Sequence, residues 1–144
     1  MKNTLIFIGI LALSACSSSA QKTENKKEAK GVPQAVKDIF AKKYPSASGA
    51  SWEKEEDNNF EAEFEMNEVE YSAVFDKTGR FVEQEMEIRV IDLPQAITGY
   101  IETNHKGKKI KEASRIEFAD GTINYEAEVQ GKDLIFDQSG KFIR

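Results

Sequence analysis

Glu61, Glu63 and Glu65 alternate with Phe60, Ala62 and Phe64. A period of two places successive side chains on opposite faces of a strand, so the three carboxylates share one face and the apolar residues the other. Glu68, Glu70, Glu85 and Glu87 are spaced to join that face from neighbouring strands. Like charges directly opposite one another destabilise a sheet, whereas a good cross-strand pair contributes roughly 0.2–1 kcal/mol. A basic neighbour, a cation or a basic partner relieves that repulsion. The bland alternative is a solvated face that keeps the protein soluble and guards a sheet edge. Carboxylates are hard ligands suited to Ca²⁺, but no Asp-rich loop of calcium-site spacing occurs, so we expect no dedicated metal site and no cofactor. Trp52 and Tyr71, with Tyr125, read by default as core or core-edge residues. On an open face they would be natural anchors for a partner.

The acidic charge is uneven. Between Ser51 and Ile88 thirteen acidic residues meet only Lys54, Lys77 and Arg80, whereas from Leu93 to Arg144 eight acids meet eight bases. The net charge of the whole chain is −5, and a nucleic-acid partner is disfavoured because phosphates attract the opposite sign.

Catalytic chemistry has little to work with. His105 is the only histidine and Cys16 the only cysteine, which excludes a Cys–His or Ser–His–Asp arrangement and a His/Cys metal cluster if Cys16 is lipidated. Asp76-Lys77-Thr78-Gly79 has the letters of a phosphorylated ATPase loop. Its counterpart Asp137-Gln138-Ser139-Gly140 lacks the lysine, and a tight turn explains both.

That counterpart belongs to a duplication. Val32-Pro33-Gln34-Ala35-Val36 returns as Leu93-Pro94-Gln95-Ala96-Ile97, and Val74-Phe75-Asp76 to Val82 returns as Ile135-Phe136-Asp137 to Ile143, both at an offset of 61 positions. One spacing kept at both ends marks a repeated structural unit. Each unit opens on a short helix. Pro33 or Pro94 lies in the first turn, Val36, Ile39 and Phe40 make one apolar stripe, and Ile97, Tyr100 and Ile101 make the other. Tyr44-Pro45 ends the first helix; Asp92 is placed to cap the second and Gly107 to stop it. Strands follow, around Trp52, over 60–66, 69–75 and 81–88. In the second unit they run over 115–118, 125–129 and 134–137, with a last one after Gly140. The expected fold class is α+β: a tandem duplicate of a short helix followed by three or four antiparallel strands. A 61-residue unit buries only about 60% of its unfolded surface, so the two units are expected to share one sheet.

The N-terminus reads as an address. Lys2 precedes a nine-residue apolar run, Leu5 to Leu13, which falls short of the ~20 residues that span a bilayer. Leu13-Ser14-Ala15-Cys16 resembles the lipobox of bacterial lipoproteins, in which the cysteine carries the lipid anchor. We therefore expect a signal peptide over 1–15, a lipidated Cys16 with a disordered polar linker over 16–31, and a folded domain over 32–144, with repeats over 32–92 and 93–144.

The twofold helix-plus-strands pattern, with Phe-Asp-x-[Ser/Thr]-Gly-[Arg/Lys]-Phe closing each unit, resembles the PepSY-like family, also called β-lactamase-inhibitor-like. The resemblance covers nearly all of the folded region. It implies a fold like that of the β-lactamase inhibitory protein, with one open sheet face, and it supplies no catalytic residue. Three non-catalytic roles are in view. The first is an outer-membrane lipoprotein that binds an envelope protein or peptide through the acidic face. The second is a structural accessory of outer-membrane assembly, and the third an inhibitor of an envelope hydrolase.

Overall fold

The computed structural model describes residues 31–144. The proposed signal peptide, Cys16 and the linker up to residue 30 lie outside the described residues. The chain forms one seven-stranded antiparallel sheet whose strands neighbour each other in sequence order. They are β1 Ser48–Lys54, β2 Phe60–Met66, β3 Val69–Phe75, β4 Phe81–Glu87, β5 Ile110–Phe118, β6 Ile123–Val129 and β7 Asp133–Asp137. The helices are α1 Gln34–Lys43, before β1, and α2 Gln95–Asn104, between β4 and β5.

Pro33 and Pro94 occupy the N-cap positions, and neither helix has a side-chain cap. Ten-residue helices are marginal alone, so docking on the sheet sustains them. Two expectations fail here. Asp92 does not cap α2; its carboxylate accepts bonds from Arg89 at 2.7 and 2.8 Å, beside a 3-10 turn over Val90–Asp92. Ile39 is not in the buried stripe. Val36, Phe40 and Tyr44 form it, four residues apart, while Ile39 is 41% exposed at the helix edge above Gly79.

The turns follow the sequence closely. Asn67 and Glu68 both take positive φ (55° and 63°), as do Gln130 and Gly131 (58° and 72°), the backbone twist that a two-residue hairpin requires. In the Asp76 turn the carboxylate accepts the amides of Thr78 and Arg80 (2.8 and 3.1 Å) and the Thr78 hydroxyl (2.6 Å). Asp137 does the same for Ser139 and Lys141. The strand expected after Gly140 is reduced to one bridge, Phe136 to Phe142, with main-chain bonds between Ile135 and Ile143–Arg144.

Two apolar cores lie between helices and sheet. The first joins Val36, Phe40 and Tyr44 to Trp52, Phe60, Ala62, Phe64, Ala73 and Phe75. The second joins Leu93, Ile97 and Ile101 to Ala113, Ala127, Val129, Leu134 and Phe136. The β4–β5 ladder, Glu83 opposite Phe118 through Glu87 opposite Ser114, makes the repeats one sheet.

Candidate functional site

Both helices pack on the face that carries Ala62, Ala73, Ala113 and Ala127. Register fixes what the other face carries. Glu61 lies opposite Glu53 and Val74, Glu63 opposite Ser51 and Ser72, and Glu65 opposite Glu70. Ser72 lies opposite Glu85 and Val74 opposite Glu83; Ser114 lies opposite both Glu87 and Glu126; Glu128 lies opposite Asp133. The open face therefore runs without interruption through both repeats.

The sequence-predicted residues divide accordingly. Glu61, Glu63, Glu65, Glu70, Glu85 and Glu87 share the open face. Glu68 does not join them, because it sits in the left-handed β2–β3 turn and is exposed there. Trp52 is 5% exposed inside the first core, against Phe40 at 5.2 Å between ring centroids, so it cannot anchor a partner. Tyr71 is on the helix side. It stacks on Phe64 (5.5 Å) and its hydroxyl donates to the Met86 sulfur at 3.1 Å. Strand parity puts both aromatics behind the sheet. His105 is the C-cap of α2 beside Tyr100.

Sequence reasoning undervalued the second repeat. Its neutral net charge hides Glu126, Glu128, Asp133 and Glu112, which with Glu85, Lys111 and Gly131 line a cavity of about 250 Å³ on the open face. The signal was present in the Glu126/Glu128 alternation; what averaged it away was a set of lysines outside the strands.

Burial gives these carboxylates unusual proton affinity. Desolvation raises Glu61 to about 7, opposed by the hydrogen bond from Ser72 and reinforced by Glu55, Glu63 and Glu85. Desolvation also raises Glu85 to about 7, with Ser114 donating to it and Glu83 and Asp133 repelling. Glu126 goes to about 8, again mainly by desolvation, then by Glu85 and Asp133, with Arg144 opposing. Glu83, Glu87 and Asp133 move up for the same leading reason. Two cations border the face: Arg144 near Glu83 and Glu126, and Lys111, 2.9 Å from Glu112 and 3.3 Å from Glu128. The floor between the acids is apolar, formed by the buried Val74, Ile116 and Ile135. Among the described residues no group of three or more potential ligands is arranged to hold a metal ion, and no helix is long and apolar enough to cross a membrane.

This architecture has solved counterparts. A protein from Bacteroides eggerthii described as periplasmic is 19% identical, with TM-score 0.70 over 78% of this chain and 86% of that one. A DUF2874 family protein from Bacteroides uniformis is 22% identical, with TM-score 0.69 over the same shares. A BLIP-like protein from Bacteroides fragilis is 25% identical, with TM-score 0.63 over 78% of this chain and 83% of that one. No curated protein matches the chain. The family described as "Putative beta-lactamase-inhibitor-like, PepSY-like" matches residues 20–83 and again 58–144. Two overlapping matches to one family agree with a helix and meander made twice, and the chain belongs to the PepSY-like family.

Proposed function

We propose that this chain is an envelope lipoprotein, anchored through Cys16 in the outer membrane, whose folded domain is a non-catalytic module that binds a protein or peptide through the open sheet face. One observation carries this reading: among the described residues no helix lies over a face that spans seven strands and gathers carboxylates of both repeats. The location draws on the Leu13-Ser14-Ala15-Cys16 ending and on a structural relative described as periplasmic. A second reading, inhibition of an envelope hydrolase, is favoured by the likeness to a BLIP-like protein. It differs only in who the partner is.

Capture from native envelope extract tests both readings, with Ser17 to Arg144 as bait. Glu65→Lys/Glu87→Lys reverses two exposed charges on the open face, and Glu102→Lys reverses one on α2. The expected result is a discrete partner lost with the first variant and kept with the second. If that partner is a β-lactamase or peptidase whose activity falls on binding, the inhibitor reading holds. A capture that the open-face variant leaves intact contradicts the module.

A further inference from the structure

The acids of the open face are ordered. Glu61, Ser72, Glu85, Ser114, Glu126 and Asp133 follow one another, one from each strand from β2 to β7. Ser72 lies directly opposite Glu85, and Ser114 directly opposite Glu126. Between those pairs the step is diagonal, with Ser72 beside Glu61 and Ser114 beside Glu85. The result is a staircase across the sheet. Each step from Glu61 to Glu85, and from Glu85 to Glu126, crosses two strands and shifts two residues along the ladder. With strands about 4.8 Å apart and a rise of about 3.4 Å per residue, each step is about 12 Å.

Resting on the reading above, we propose that the occupant of this face is a basic, extended segment of polypeptide laid along the staircase, its Lys or Arg side chains meeting Glu61, Glu85 and Glu126 in turn. Charge complementarity selects the sign. Glu53 faces Glu61 and Glu65 faces Glu70 across the ladder, and such like-charge pairs are relieved by a positive partner. Spacing selects the form. Steps of about 12 Å are too long for one ion, whose ligands lie at ~2.3–2.6 Å, and come nearest, among same-side positions of an extended chain, to the ~14 Å between basic residues four apart, a difference that flexible Lys or Arg side chains span.

Docking then displaces protons. Glu61 and Glu85 stand near pH 7 and Glu126 near 8, and a cation favours their charged form. Facing them are Glu53, Glu55, Glu63, Glu83, Glu112, Glu128, Asp133 and the cations Arg144 and Lys111, of which only the cations compete with the occupant.

The probe is a blocked nonapeptide with lysines at its first, fifth and ninth positions, compared with an isomer whose three lysines are adjacent. Titration calorimetry at pH 7, in two buffers of different ionisation enthalpy, uses the chain from Ser17 to Arg144. The spaced peptide should bind at least tenfold tighter than its isomer, release protons, and weaken as pH falls from 7.5 to 5.5. Glu61→Gln/Glu85→Gln/Glu126→Gln should abolish the preference for spacing, and amide-shift mapping should trace the staircase. Equal affinity of the isomers, shifts mapping elsewhere, or no binding of either peptide overturns the proposal. The binding module survives such a failure if envelope capture still depends on Glu65 and Glu87, and falls if it does not.

Discussion

At the scale of the residue, the motif most conspicuous in the sequence is an organ of the fold. Asp76 is held down to about 2, chiefly by the Thr78 hydroxyl and then by the Thr78 and Arg80 amides, and Asp137 is lowered by Ser139 and Lys141. Each turn fastens the sheet to a helix N-terminus. At Gly140, where φ is +83°, a Cβ would stand 2.6 Å from the Cβ of Ala96. At Gly131, where φ is +72°, it would meet nothing within 4 Å. Left-handed backbone alone costs a non-glycine residue roughly 1–2 kcal/mol. Gly131→Ala should therefore lose about 1 kcal/mol, and Gly140→Ala about 2 kcal/mol or more once the clash is added. Urea denaturation measures both, and equal losses would contradict the turn-to-helix fastening. The turn was legible because Asp and Gly have strong local preferences. That Trp52 is core and Tyr71 lies behind the sheet was not, because a side chain's face depends on strand parity fixed by a register no single segment reveals.

At the scale of the element, the open face and the first core make separate predictions. Glu61, Glu85 and Glu126 hold protons more tightly folded than unfolded. The native state therefore binds more protons between the unfolded value near 4.5 and the folded values near 7–8, and stability falls as pH rises through that window. The lowered Asp76 and Asp137 act in the opposite sense, losing their contribution below about pH 4. The melting temperature should peak near pH 4 and decline toward pH 8 by the equivalent of a few kcal/mol. Glu61→Gln/Glu85→Gln/Glu126→Gln should flatten that decline in a thermal melt series; an unchanged slope would place the effect elsewhere. In the first core Phe40 touches four rings: Trp52 and Phe64 at 5.2 and 5.0 Å, Tyr44 at 5.4 Å and Phe75 at 6.3 Å. Phe40→Ala should cost about 3–5 kcal/mol by urea denaturation, and a loss under 1 kcal/mol would deny it that role. Helices and strands were readable from period and proline. The Asp92 cap was not, since Arg89, three residues away, outbids the backbone for its carboxylate.

At the scale of the whole molecule, two cores share one sheet, and the seam is five paired positions between β4 and β5. The seam is reinforced by main-chain bonds from Ile88 to Ala113 and from Ala119 to Val82. Neither repeat can shed the other without exposing a bare central strand. Unfolding should therefore be a single transition. Fluorescence of Trp52, which reports the first core, should coincide with far-ultraviolet circular dichroism, and Phe40→Ala and Phe136→Ala should displace both signals together. Separate midpoints would show two independent units. The duplication made this sheet foreseeable. Its acidic face was foreseen only in part, because summing charge along each repeat mixes face with loop, whereas strand pairing gathers Glu85, Glu126 and Asp133.

The proposed function requires that face to be the one that meets a partner. The most direct test puts a photoreactive residue at Glu87, exposed on the open face, or at Glu102, exposed on α2, in the full chain within living cells. A discrete cross-linked protein from Glu87 and none from Glu102 is the predicted result. The same adduct from Glu102 alone, or no adduct from Glu87, would contradict the account.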